Sequence, residues 1–174
     1  MIVKFKYGLI MGMLLVLILL VAAQFSLSSA QNQPATIRAA MQNFEGGYML
    51  WREDTGKIYV LTDPDGKRCG GDLQEFTDEW DDSQPETDPA YRPPVNSTAV
   101  QPKRGFGLLW RTDEDVREAL GWGLTTEVGY TMLLYNDGEK LWFNSVNGDV
   151  FVIEGDQWEL INLYRAEDLC PAEE

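Results

Sequence analysis

Carboxylates are the side chains with which this chain could most readily do chemistry. It carries 28 Asp and Glu against 14 Lys and Arg, a formal net charge of −14, and many of its acids crowd between Asp72 and Asp88. Two carboxyls at a suitable separation are enough to hydrolyse a glycosidic bond, and oxygen-rich loops can hold calcium. Neither chemistry has a local signature here. No EF-hand spacing occurs, and the Asp-Pro-Asp-Gly turn at residues 63–66 runs on into Lys67 and Arg68 rather than into further ligands. The acidic stretch reads as a solvated face, so no metal site and no cofactor are expected. Histidine is absent from the whole chain. That removes the Ser-His and Cys-His dyads, the usual neutral-pH proton shuttle and the commonest nitrogen ligand for zinc. The acidic balance also repels nucleic-acid phosphates and anionic lipid surfaces.

Six tryptophans supply a second kind of chemistry. A flat indole can stack on the C–H face of a sugar ring while nearby carboxylates accept its hydroxyl hydrogens. Trp80, Trp110 and Trp158 are the candidates for exposed, ligand-binding indoles. Trp51 and Trp142, on repeated strand patterns, are expected in the core. Cys69 and Cys170 are the only cysteines. An even pair behind a secretory-type leader predicts one structural disulfide closing a loop of about 100 residues.

The stretch "RGFGLLWRTDEDVREALGWG", residues 104–123, poses the question of phosphate binding. Gly105 and Gly107 make a G-x-G, but the sixth position of the fingerprint is Trp110, and the Gly-Lys-Ser/Thr ending of a Walker loop is missing. The helix that follows opens on Asp113, Glu114 and Asp115, which suit its dipole and repel an anion. A fold-building role fits better. Thr112 is placed to cap a helix over Asp113 to Leu120 that Gly121 ends, with Val116, Ala119 and Leu120 on one face.

The elements that must position these residues are mostly strands. "GYMLWREDTGKIYVLT", residues 47–62, predicts a hairpin turning at Glu53-Asp54-Thr55-Gly56. "EKLWFNSVNGDVFVIEGDQWELI", residues 139–161, predicts a meander with turns at Asn147-Gly148 and Gly155-Asp156. Aligned, the two regions pair Phe44 with Tyr135, Gly47 with Gly138, Leu50 with Leu141 and Trp51 with Trp142. After one extra residue, Gly56 meets Gly148 and Ile58 to Leu61 meet Val150 to Ile153. They read as copies of one unit. Between them lies acidic chain with five of the eight prolines between Pro85 and Pro102. It is expected to run extended over the surface. Leu73, Phe76 and Trp80, three and four apart after Asp72, predict a turn or two of helix. Asn96-Ser97-Thr98 matches a glycosylation sequon but reads as a coincidence.

The N-terminus has Lys4 and Lys6, an apolar run over residues 7–23 and then small polar residues. This is the make-up of a signal peptide cleaved after Ala30, with an uncleaved membrane anchor as the alternative. Residues 1–30 are therefore assigned as signal peptide or anchor. Residues 31–43 form a polar lead with a short helix near Ile37 to Met41, 44–82 a first β unit, 83–102 the Pro-rich acidic connector, and 103–174 the helix-containing segment with a second β unit.

The Gly-Phe-Gly, Trp-Arg and Leu-Gly-Trp elements, with "GYMLWREDTGKIYVL" and "FTDEWDDSQPE", make residues 44–161 resemble a repeat family of bacterial extracytoplasmic and cell-surface proteins, loosely similar to LGFP repeats. The resemblance implies an envelope-associated module with an attachment or ligand-binding role and no assigned activity. The second copy has Leu-Trp-Phe-Asn where the first has Leu-Trp-Arg-Glu.

The expected fold is mainly β, two related hairpin or meander units with one short α-helix after an N-terminal signal or anchor helix. The expected function is an exported, non-catalytic surface or envelope module binding a glycan or a protein partner, secreted or anchored by its N-terminal segment. A small glycoside hydrolase using a carboxylate pair and a structural spacer are the alternatives. No nucleic-acid partner is expected, and the membrane is a partner only through an uncleaved N-terminus.

Overall fold

The computed structural model describes residues 33–161; the signal or anchor segment and Cys170 lie outside them. The element order is β1 (Ala35–Phe44), β2 (Gly47–Arg52), β3 (Lys57–Thr62), β4 (Gly70–Thr77), α1 (Arg104–Thr112), α2 (Glu114–Leu120), β5 (Val128–Asn136), β6 (Lys140–Asn144), β7 (Val150–Glu154) and β8 (Gln157–Ile161). The eight strands close into one antiparallel barrel in the order β1-β2-β3-β4-β8-β7-β6-β5. Two four-stranded meanders are thus sewn edge to edge, β1 on β5 and β4 on β8. Closure leaves no sheet edge to aggregate. Among the described residues no helix is long and apolar enough to cross a membrane.

Alternation along each strand sends one set of side chains inward. Tyr48 and Leu50, Tyr59 and Leu61, Leu73, Met132 and Leu134, Phe143, Phe151 and Ile153, and Trp158 fill the interior. An eight-stranded barrel is just wide enough for side chains to fill. Tyr48 packs edge to face on Phe151 at 5.2 Å and on Trp158 at 5.5 Å, ring centre to ring centre, while Phe151 stacks on Phe143 and Trp158. The strand residues between these point outward, and on β2 and β3 they are largely apolar too, as are Ala40 and Phe44 of β1. Ala40, Phe44, Met49, Ile58 and Val60 meet Phe106, Trp110, Val116 and Leu120 of the two helices in a second core. Burial on both faces explains why β2 and β3 read as nearly continuous apolar runs.

An arginine sits at each end of the barrel. At the β2–β3 turn, buried Arg52 donates to the Tyr59 hydroxyl at 3.0 Å and to both Asp54 oxygens at 3.1 and 2.7 Å. At the opposite end the Arg68 guanidinium lies 4.6 Å from the centre of the Tyr48 ring. It donates to the Tyr48 hydroxyl at 3.3 Å and to the carbonyls of Phe44 and Gly47 at 3.1 and 3.4 Å. The Asp63 carboxylate holds that loop by accepting from the Gly66 and Arg68 backbone N–H groups. It is a loop-shaping acid.

Several expectations need correction. The lead containing Ile37 to Met41 is strand β1, not a helix, because it pairs on both sides, Ala40 with Trp51 of β2 and with Gly129 of β5. Leu73 and Phe76 lie on strand β4, not on a helical turn, and they face opposite cores. Among the described residues there are two helices rather than one, since the Gly-Phe-Gly stretch is itself α1. Thr112 ends α1, its hydroxyl donating to the Leu108 carbonyl at 2.8 Å. Asp113 is the cap of α2, accepting from Val116 N at 3.0 Å. A charged acceptor at the cap outcompetes the neighbouring hydroxyl. Gly121, at φ 65°, ends α2 as expected.

Candidate functional site

The outer face of β1 and its two neighbours forms the floor of a cleft. Trp51, Ala40 and Gly129 lie side by side across β2, β1 and β5. Two small residues beside a large one leave a trough. Phe106 of α1 and the chain around Asp78 and Trp80 wall it, enclosing about 510 Å³ with Arg38, Arg104, Glu127 and Thr131 at its sides. Glu127 reaches this face because it lies two residues before Gly129, the period of a strand. A second lobe of about 560 Å³ shares Arg104 and Glu127 with the first and runs on past Gln42, Glu86, Val100 and Lys103. The two lobes make an elongated groove.

Each functional side chain is held by local structure. Asp78 follows β4 directly, and its N–H donates to the Gly56 carbonyl at 3.0 Å, so the first hairpin turn anchors it. Its Oδ1 accepts from Trp80 N at 3.1 Å, setting where the indole leaves the chain. The carboxylate packs against Gly105, where a Cβ would collide with it. Gly105 is therefore a close-approach glycine, not part of a phosphate loop. Arg104 sits at φ 50°, in the left-handed region, with its N–H on the Glu86 carbonyl at 3.1 Å and its Nε 3.0 Å from Glu86 Oε1. Arg38 is ion-paired with Glu53.

Both cationic side chains of the first lobe are thus committed to rim carboxylates, whereas Asp78 and Glu127 have no ion-pair partner among the described residues. Burial raises the Asp78 carboxyl above the ordinary range, against the opposing Trp80 N–H bond. Burial likewise raises Glu127, with the charges of Asp78 and Glu86 adding to it and Arg104 opposing. Glu86 behaves oppositely, lowered first by its hydrogen bond from Arg104. Two carboxyls raised by burial and without an ion-pair partner, lining one cavity with two indoles, make this cleft the candidate site.

Of the three tryptophans expected to be exposed, Trp80 alone lines this cleft. Trp110 is 2% exposed and Trp158 3%. Each satisfies its indole N–H on a backbone carbonyl, Trp110 on Gly121 at 2.7 Å and Trp158 on Thr62 at 2.9 Å, and so buries its whole ring without penalty. Neither can stack on a ligand. Trp51, expected in the core, is half-buried with its outer surface on the cleft. Glu127, Gln42 and Gly129 escape sequence reasoning, since they become neighbours only when β1 pairs with β5. The alternation Glu127, Gly129, Thr131 is the one local signal of a shared face.

A polar recess of about 370 Å³ lies at the Arg68 end of the barrel. Its arginine is spent on Tyr48 and two carbonyls. In comparisons with protein-family models, curated proteins and solved structures, the chain matches none.

Proposed function

We propose that this protein is an exported, non-catalytic envelope module that binds a glycan in the Trp51 and Trp80 cleft. One observation carries the reading: a single groove combines two indoles with two unpaired carboxyls. Indole faces suit sugar C–H surfaces, and carboxylates accept their hydroxyls. The likeness to LGFP-type repeats points the same way. Titrating the full chain with envelope polysaccharide fragments should give a saturable tryptophan fluorescence change. Trp80→Ala should weaken it by about ten-fold while costing far less stability than truncation of a fully enclosed indole. An unchanged affinity in that variant removes the cleft from the proposal, and no response to any glycan removes the glycan.

The carboxyl pair favours a second reading, a glycoside hydrolase in which the raised pKa of Asp78 or Glu127 keeps one acid protonated for the leaving group. Release of reducing ends from a bound polysaccharide, abolished by Glu127→Gln, would establish it. Binding without product leaves the module non-catalytic.

The two meanders are read as related copies. Three of the aligned pairs share the inner side of the barrel wall: Tyr59 and Phe151, Leu61 and Ile153, Leu50 and Leu141. Cys69 is not a free thiol, and Cys170 is the chain's other cysteine; a Cys69 to Cys170 bridge would tie the C-terminal segment to the foot of β4. Intact mass of the protein recovered outside the cell tests export and bridge together. A chain starting at Gln31 and lighter by two hydrogens is expected. A full-length chain indicates an anchor, and reactivity toward thiol reagents removes the bridge.

A further inference from the structure

The charge pattern of the cleft narrows its ligand, an inference that rests on the glycan reading above. With Arg38 held by Glu53 and Arg104 by Glu86, the charged groups left to meet a ligand in the first lobe are acceptors, Asp78 and Glu127, beside the Trp80 indole, whose N–H has no hydrogen-bond partner among the described residues. The second lobe adds another. Gln42 is 2% exposed, its Nε2 donates to the Thr125 carbonyl at 2.8 Å, and its Oε1 has no hydrogen-bond partner. Such an orphaned acceptor is rare and asks for a donor. A neutral hydroxyl can donate one hydrogen bond but leaves both carboxylate charges uncompensated. An ammonium offers three donors and a positive charge. The same cation is attracted to an indole face, and most strongly where water is partly excluded. The formal charge of −14 draws cations toward the surface and repels polyanions.

We infer that the cleft selects an amine-bearing saccharide, a glucosamine-type chain whose ammonium is taken by Asp78 and Glu127 beside the Trp80 indole. A two-lobed groove gives room for more than one sugar unit.

The test is a binding titration of the full chain with the tetramer of glucosamine and, in parallel, the tetramer of N-acetylglucosamine. The two differ in charge while keeping the same ring and linkage. The glucosamine tetramer should bind at least about ten-fold tighter, and its advantage should shrink as salt rises, since screening weakens charge recognition. Glu127→Gln should erase most of that preference. Gly129→Leu should block both ligands, because a side chain there enters the trough with nothing closer than the Ala39 carbonyl at 3.9 Å to meet it. Equal or tighter binding of the acetylated tetramer overturns the amine inference and leaves the glycan reading standing. Failure of both tetramers and of all neutral polysaccharides overturns both. A preference that survives Glu127→Gln overturns the role given to that carboxyl, whatever the variant's stability, because the preference is a ratio measured within one protein.

Discussion

Replacing Trp110 by alanine is expected to destabilise the protein by about 3–5 kcal/mol, enough to unfold much of it at growth temperature. The indole is almost fully enclosed, with Tyr91 at 5.2 Å and Trp122 at 5.0 Å between ring centres. Its N–H is the partner of the Gly121 carbonyl at the end of α2. Truncation therefore leaves a large cavity between the helices and the barrel wall and also orphans a buried acceptor. Trp158→Ala should cost as much, because it empties the barrel interior beside Phe151 and Tyr48. Chemical denaturation of the two variants next to Trp80→Ala is the measurement. A Trp110→Ala protein as stable as the parent would contradict the helix-facing core described here.

Glu127→Gln is expected to act in the opposite direction, raising stability at neutral pH by about 1 kcal/mol, or about 4 °C in melting temperature. The native fold raises the pKa of Glu127 by burial, reinforced by Asp78 and Glu86 and opposed by Arg104. A carboxyl whose folded pKa exceeds its unfolded value binds its proton more tightly in the native state. Its contribution to stability is complete below the ordinary glutamate range, about 4.3, and is lost as pH rises through the raised value. Glutamine does not titrate and so avoids that loss. The advantage of the variant should therefore appear above the raised pKa and vanish on acidification below the ordinary range. Melting curves across that window decide it. A gain that persists unchanged at acid pH would show that charge burial is not its cause. The same substitution should weaken cationic ligands, so stability and binding should move in opposite directions, as expected of a site held at a cost to the fold.

The local features of this protein were legible in its residues. The turns at Gly56, Asn147-Gly148 and Gly155, the strands that flank them, and a helix ending at Gly121 all depend on neighbours within a few positions. Mainly β structure follows from them, as do the paired patterns around Trp51 and Trp142. Short-range chemistry sets these outcomes: positive-φ backbone at turn and helix-ending glycines, and alternation along strands.

Three outcomes were decided by pairing across long separations. "ATIRAAMQNF" carries alanines that suit a helix, and it becomes β1 because β2 and β5 both need it to close the barrel. Leu73 and Phe76 have helical spacing, yet they serve two different cores once β4 is a wall between them. The tryptophans divide by tertiary packing: Trp110 is enclosed where the helices dock and Trp158 where the barrel closes, while Trp80 is left at the cleft. The site itself belongs to this class. Ala40, Gly129 and Trp51 become one surface only through strand register, and Asp78 and Glu127 share a groove only after α1 packs across it. The amino-acid sequence alone determined the turns, the strand alternation and the acidic, histidine-free chemistry, because these act over a few residues or over none. Tertiary structure alone decided which indoles and carboxyls meet, because that is a matter of barrel closure and two-sided burial.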